Sequence, residues 1–334
     1  MTRVGLVLGA GGVVGQAYHA GVLAALEHDL GWDPRTADVI VGSSAGSVTG
    51  TLLRLGVPAS DLAAWAVEGP LSVEGAQLMN QLNGDEANAE FPPMVAQDLL
   101  HGWRLPTPAL LARMARRPWA FRPGVAAMTL LPSGRIDVAA RAEVLHAVTG
   151  DDWPDGLWIC AARRNDGGRV VFGRDGAPPS TVASAVAASC AIPGYFSPVR
   201  IQGVEYFDGG VHSPTNADVL RDSGLDLVIV VAPMSAARGR SLTLDAPMRR
   251  ASHRRLDHEV RRLRSGGTDV VRFEPAHRCL AAMGVNAMAA NRSDKVVRRA
   301  FFEAGRRASR DQVAARLAPI AVRRSRQSST AEDG

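Results

Sequence analysis

The chain has 334 residues, of which 46% are hydrophobic and 21% charged, with a formal net charge of +5. That length and balance suit a globular protein, one large domain or two modest ones, with a substantial buried core. No apolar run reaches the ~18 residues that a membrane-spanning helix needs, because Gly, Pro or a charge interrupts each one.

Val4 to Leu8 is a short apolar run bounded by glycines and reads as a first core strand rather than a signal peptide. Gly9-Ala10-Gly11-Gly12-Val13-Val14-Gly15 then forms a loop, and Ala17 to Glu27 has the spacing of a helix. A nucleotide-binding loop is disfavoured, since Val14 breaks the Gly-x-Gly-x-x-Gly register and no Lys-Ser/Thr follows. A glycine-rich turn at a helix start can instead aim several backbone N–H groups at one oxygen. Gly11, Gly12 and Val13 are the candidate oxyanion donors. The next apolar run, Val39 to Val41, ends in Gly42-Ser43-Ser44-Ala45-Gly46 and a helical pattern. This strand, Gly-x-Ser-x-Gly turn and helix is a nucleophile elbow, which pushes the serine hydroxyl out of the sheet. Ser44 is the candidate nucleophile, with Gly42 and Gly46 leaving room around it; the plainer alternative is a helix-capping serine.

From Gly69 to about Gly134, eight prolines break the chain into short pieces, predicting a helical insertion over the core at 70–135. Phe91, Trp103, Trp119 and Phe121 lie there beside Arg104, Arg113, Arg116 and Arg117, a mixture suited either to a lid or lipid-facing rim or to ordinary packing. Leu157 to Ala162 and Arg169 to Phe172 read as strands joined by Asn165-Asp166-Gly167-Gly168, and Ser180 to Ala191 as a small-residue helix. Strand-like Glu205 to Phe207 stops at Asp208-Gly209-Gly210. The acid is either part of an Asp-Gly turn or the base for Ser44, with Gly209 and Gly210 allowing close backbone approach. An ordinary aspartate, with a pKa of about 3.9, is a weak base, so burial would have to assist it.

Taken together, these blocks resemble the patatin-like phospholipases. Gly9 to Leu23 is similar to the family's first loop and helix, Gly42 to Gly46 to its elbow, and Ala187 to Asn216, through Ser189-Cys190-Ala191-Ile192-Pro193 and Asp208-Gly209-Gly210, to its third block. The resemblance covers about residues 3 to 235. It implies a three-layer α/β/α fold with a central, mostly parallel sheet. It also implies a serine acyl-ester hydrolase acting on lipid or phospholipid esters through an acyl-enzyme. By the same resemblance Ser44 is the nucleophile, Asp208 the proton acceptor, and the Gly11, Gly12 and Val13 amides the oxyanion hole. Two departures stand out: Ala10 where the family often has Gly, and Val14 where it commonly has Arg or Lys.

The remainder completes the fold, with strands predicted at Leu227 to Ala232 and Asp269 to Phe273. Residues 1–318 are expected to form one domain, followed by a flexible tail at 319–334. His253, His258 and His277 follow Asp208 and keep open a Ser-Asp-His triad of the α/β-hydrolase kind, although that elbow usually follows several strands. A scaffold that binds lipid or a partner without turnover is the non-enzymatic alternative. His19 and His212 read as packing residues. Lys295 is the only lysine, and arginines crowd two predicted helices: Arg249, Arg250, Arg254, Arg255, Arg261, Arg262 and Arg264, then Arg298, Arg299, Arg306, Arg307, Arg310 and Arg316. These read as solvated helix faces, with peripheral contact to an anionic membrane as the alternative; nucleic acid is disfavoured. Cys160, Cys190 and Cys279 match no zinc or redox spacing, so a reducing, cytoplasmic setting is expected. No metal or organic cofactor is expected.

Overall fold

A computed structural model describes residues 2–82, 105–116, 123–237 and 245–322. Eight strands form one sheet: β1 (Val4–Leu8), β2 (Val39–Ser43), β3 (Leu157–Arg163), β4 (Arg169–Phe172), β5 (Val199–Ile201), β6 (Val204–Asp208), β7 (Leu227–Val231) and β8 (Asp269–Phe273). Hydrogen-bonded neighbours follow the path β5-β6-β3-β2-β1-β7-β8, with β4 paired to the other edge of β3. The pairs joining β3, β2, β1, β7 and β8 are parallel, whereas β4, β5 and β6 are added antiparallel. The runs VGLVL, VIVGS and LVIVV are buried along their whole length, as expected of parallel strands covered on both faces.

The helices are α1 (Gly12–Leu30), α2 (Ala45–Arg54), α3 (Ala59–Ala66), α4 (Val73–Leu82), α5 (Pro108–Arg116), α6 (Pro123–Leu130), α7 (Ala139–Thr149), α8 (Val182–Cys190), α9 (Ala246–Arg264), α10 (His277–Met283), α11 (Ser293–Ala308) and α12 (Asp311–Leu317). Strand alternation sorts them into two outer layers. Leu6 and Leu8 point into a core shared with α1, α2, α8, α10 and α11, while Val7 points into a second core closed by Leu256, Val260 and Leu263 of α9. Those three α9 residues recur every three or four positions, so one stripe of an otherwise Arg-rich helix is buried.

Helix α1 is buried almost without break from Ala17 to Leu26, because the sheet lies on one side and α11 on the other. A Cβ on Gly21 would stand 2.5 Å from the Val297 carbonyl oxygen and 2.7 Å from Ala300 Cβ, so the glycine permits the close crossing. The helix begins at Gly12, five residues before the expected Ala17, and therefore takes the last glycines of the loop into its first turn.

The arginine-rich segments depart from expectation in two ways. Arg310 and Arg316 belong not to α11 but to the cap and body of α12. Several arginines are also structural rather than solvated: Arg249 is buried and donates to the Pro233 carbonyl at 2.7 Å, Arg255 pairs with buried Glu259 at 3.0 Å, and Arg307 bonds the Arg272 carbonyl. The packed chain continues past the expected boundary at 318, with Ala318–Ile320 in a 3-10 turn and the Val322 N–H donating to the Leu30 carbonyl at 2.8 Å. Of the insertion, α4, α5 and α6 are described; Phe91, Trp103, Arg104, Arg117, Trp119 and Phe121 lie outside the described residues. No helix among the described residues is long and apolar enough to cross a membrane.

Candidate active site

The site is built on one edge of β3. On the edge facing β2, Ser43 stands opposite Cys160; β4 covers the other edge from Ile159 to Ala162. Ala161 and Ala162 already have β4 on that far side, so β6, which pairs Asp208 with Ala161 and Phe207 with Ala162, must continue the edge begun by β2. Strand β2 runs up that edge and β6 runs down it, and they meet between two consecutive residues of β3. The junction brings Ser44, the first residue past β2, beside Asp208, the last residue of β6.

Ser44 has φ 52° and ψ −122°, a region a non-glycine residue enters only when its surroundings force it there. The forcing groups are the neighbouring glycines. A Cβ on Gly46 would collide with the Leu8 carbonyl oxygen, and one on Gly42 would stand 2.5 Å from Ser47 Cα. Helix α2 thus starts tight against β1 and β2 and aims its positive end at Ser44. The Ser44 N–H donates to Ser189 Oγ at 2.8 Å, and Ser189 in turn donates to the Cys160 carbonyl at 2.7 Å. The Ser44 carbonyl accepts from Ser47 Oγ at 2.7 Å.

The Ser44 side chain lies near enough to the Asp208 carboxyl to favour its charged form. Both residues are buried, each only 6% exposed. Burial pushes the Asp208 pKa up to about 6, against the opposing pull of the Ser44 hydroxyl and the Gly210 N–H, which donates to Asp208 Oδ1 at 2.7 Å. A carboxylate so raised is a far better proton acceptor than an exposed one. Cys190 lies alongside, its Sγ 3.8 Å from Ser47 Oγ; burial raises its thiol to about 12, so it stays neutral.

Gly11, Gly12 and Val13 occupy the N-cap and first turn of α1, where amides have no partner within the helix. No described residue accepts from these three amides, whereas their neighbours are tied: the Ala10 N–H donates to Pro214 and the Val14 N–H to the Ala287 carbonyl. The loop reaches both halves of the site. Ala10 Cβ would stand 3.0 Å from a Cβ on Gly210, and Ala45 Cβ 3.7 Å from one on Gly15. Gly12 has φ +61°, and a Cβ there would come within 2.6 Å of the Ala287 oxygen. Gly209 is likewise obligatory, since a Cβ would run into the Cys160 carbonyl.

Two residues given no separate role in the sequence reading tie the junction together. Ser189 holds the backbone of Ser44. Asn216, in the left-handed region at φ 51°, donates to Ser43 Oγ at 2.9 Å, to the Gly209 carbonyl at 3.2 Å and to the Ser213 carbonyl at 2.7 Å. The loop behind it is clamped by buried Glu259, which accepts from Ser213 and Thr215 at 2.6 Å each and from the Ala217 N–H at 3.0 Å. Both signals lay inside the quoted third block, but their partners are distant in sequence.

The histidines stand elsewhere. His253 is engaged by Glu274 at 2.6 Å and Asp257 at 3.4 Å, and His258 is exposed on α9. His19 is fully buried with Nδ1 3.2 Å from Thr49 Oγ1, and burial lowers its pKa to about 3, so it remains neutral. Among the described residues no group of three His, Cys, Asp or Glu side chains is arranged to hold a metal ion.

Among solved structures, VipD from Legionella pneumophila aligns with 14% identity and a TM-score of 0.43, over 92% of this chain and 66% of that one. ExoU in its complex with SpcU, from the type III secretion system of Pseudomonas aeruginosa, aligns with 18% identity and a TM-score of 0.35, over 96% of this chain and 57% of that one. The chain thus spans less than two thirds of either protein. A search of curated proteins finds no match. The sequence profile of the patatin-like phospholipase family matches residues 6–221, which include the glycine loop, the elbow and Asp208, and the chain belongs to that family.

Proposed function

We propose that the protein is a serine acyl-ester hydrolase that acts on lipid esters through a Ser44–Asp208 dyad and an acyl-enzyme. The observation that carries the proposal is Ser44, at a strained strand-to-helix turn, brought by strand register beside the buried, pKa-raised carboxyl of Asp208. Membership of the patatin-like phospholipase family supports a lipid hydrolase at the family level.

Ser44 Oγ attacks the ester carbonyl as its proton passes to Asp208. The oxygen that becomes negative accepts from the Gly11, Gly12 and Val13 amides, which lack other partners among the described residues. Collapse expels the alcohol, which takes the proton from Asp208 and leaves the acyl group on Ser44. Water then attacks the acyl carbonyl with Asp208 again as base, regenerating the serine. With a pKa of about 6, Asp208 is mostly ionised at neutral pH and a better base than an ordinary aspartate, and its protonated form is still far more acidic than the departing alcohol, so it can hand the proton to the leaving oxygen. We infer one domain through α12, because β7 and β8 extend the sheet beyond residue 221 on the β1 side.

The test is hydrolysis of short- and long-chain p-nitrophenyl esters and of phospholipid vesicles by wild type, Ser44→Ala, Asp208→Asn and His258→Ala. Loss of about a thousandfold or more in the first two, with His258→Ala near wild type, is the expected pattern. Equal loss in His258→Ala would replace the dyad by a triad, and wild type inert towards every ester would leave a binding role.

A further inference from the structure

At the sheet end that carries Ser44, an open cleft of about 650 Å³ is lined by Arg113 and Arg116 of α5, Arg163 and Arg169 of the β3–β4 pair, Asp166 of the turn between them, and His212. We infer that this cleft binds the phosphate group of an anionic ligand. The inference rests on the hydrolase reading only where that phosphate belongs to the substrate.

Charge is the first argument. Arg163 and Arg113 share one carboxylate, Asp166, at 2.9 and 3.3 Å. Arg169 is paired with Asp218 at 2.6 Å, and Asp218 is approached from the other side by Arg262 at 3.4 Å. Arg116 is exposed and has no carboxylate partner among the described ion pairs. Four guanidinium groups therefore face one lining carboxylate, and the surplus of positive charge is concentrated in a concavity, where its field is focused.

Shape is the second. A Cβ on Gly168 would stand 2.5 Å from Arg163 Nη2 and 2.6 Å from Arg113 Nη1. The turn Asn165-Asp166-Gly167-Gly168 thus leaves space at the one position where two guanidiniums from separate elements converge. Asp166 fixes them there while also accepting from the Gly168 N–H at 2.8 Å. Preorganised, planar donors on several sides suit a tetrahedral oxyanion such as phosphate.

Position is the third. Arg163 ends β3 and Arg169 begins β4, so the cleft opens on the same sheet end as Ser44. His212 lies four residues beyond Asp208, in the 3-10 turn whose Gly209 carbonyl accepts the His212 N–H. Arg169 donates to Asn216 Oδ1 at 3.2 Å, and Asn216 bonds Ser43 and Gly209 on either side of the dyad. The cleft and the dyad are thus joined through Asn216 and the 209–212 turn.

The test combines binding and kinetics on the full chain. Calorimetric titration with inorganic phosphate is made on wild type, Ser44→Ala, Arg116→Gln and Arg113→Gln/Arg116→Gln. The ratio of kcat/KM for a lysophospholipid phosphomonoester to that for an uncharged p-nitrophenyl ester of equal chain length is measured on wild type and the two arginine variants. Saturable phosphate binding in wild type and Ser44→Ala, weakened about tenfold or more in the double variant, is expected. A fall of about tenfold or more in the kinetic ratio identifies the source as a lipid headgroup, and weakened binding with an unchanged ratio identifies free phosphate. No saturable binding by wild type together with an unchanged ratio overturns the inference. Wild type inert towards both esters, with Ser44→Ala still binding phosphate, overturns the hydrolase reading and leaves the anion site standing. Arg116→Gln alters only an exposed side chain, so it reads the same effect where the double variant is less stable.

Discussion

Replacing Asp208 by Asn is expected to make the protein more stable above pH 7 while removing its activity. The carboxyl is buried and its pKa stands at about 6 against an ordinary 3.8. At about 1.4 kcal/mol per pH unit, that displacement is an ionisation penalty of about 3 kcal/mol in the folded state. An Asn at the same place still accepts from the Gly210 N–H and meets the Ser44 hydroxyl, so little else is lost. The sign follows from linkage. Because the folded pKa is raised, the protonated carboxyl carries no penalty below about pH 4, the penalty grows between about 4 and 6, and it is complete by about pH 7. With about 2.1 cal/mol/K of unfolding entropy per residue over a chain of this length, 3 kcal/mol corresponds to an upward shift in Tm of about 4 °C. Differential scanning calorimetry of both proteins at pH 4.5, 6 and 8 measures it. A Tm difference that is the same at all three pH values, or a wild type more stable at pH 8, would refute the burial argument.

Three further outcomes follow from the same site. The kcat/KM profile for an uncharged ester is expected to fall on the acid side with an apparent pKa near about 6, since Asp208 must be ionised to accept the Ser44 proton; a limb near 4 contradicts this. Ser44→Gly and Ser44→Ala are both expected to be inactive, with the Gly variant more stable by about 1 kcal/mol or more in urea denaturation, because only glycine tolerates φ 52° without cost. Ser189→Ala removes the acceptor of the buried Ser44 N–H and is expected to cost about 1–3 kcal/mol of stability and to lower kcat more than it raises KM; a purely structural role would leave the kcat of the folded fraction unchanged.

What could be read from the chain before any coordinates was what local pattern encodes. The runs at Val4, Val39 and Leu227 are apolar throughout because both of their faces are covered, and the glycines around Ser44 announce a turn that no other residue could make. The Asp208-Gly209-Gly210 stop was legible for the same reason. Less legible were contacts between segments far apart in sequence. Ser189 and Asn216 are ordinary polar residues until the fold places them against Ser44 and Ser43, at separations of 145 and 173 residues. Ala287, whose carbonyl ties the Val14 amide beside the candidate oxyanion donors, lies in a segment read only as structural completion. The arginine-rich helix at 246–264 misled in another way: composition suggested a solvated face, but Arg249, Arg255 and Arg262 are committed to internal carbonyls and carboxylates.

The meeting of β2 and β6 along a single edge of β3 also bears on how such an enzyme can change. The Ser44 to Asp208 separation is set by backbone ladders on adjacent residues, Cys160 and Ala161, and not by the length of any loop. Residues can be added or removed in the segment between α2 and β3, where α4, α5 and α6 sit, without moving either partner. A one-residue slip of β6 would instead turn Asp208 to the opposite face and abolish the pair outright. Innovation in what is bound is thereby separated from the chemistry performed: the first can drift through insertions above the sheet, while the second is fixed by strand register.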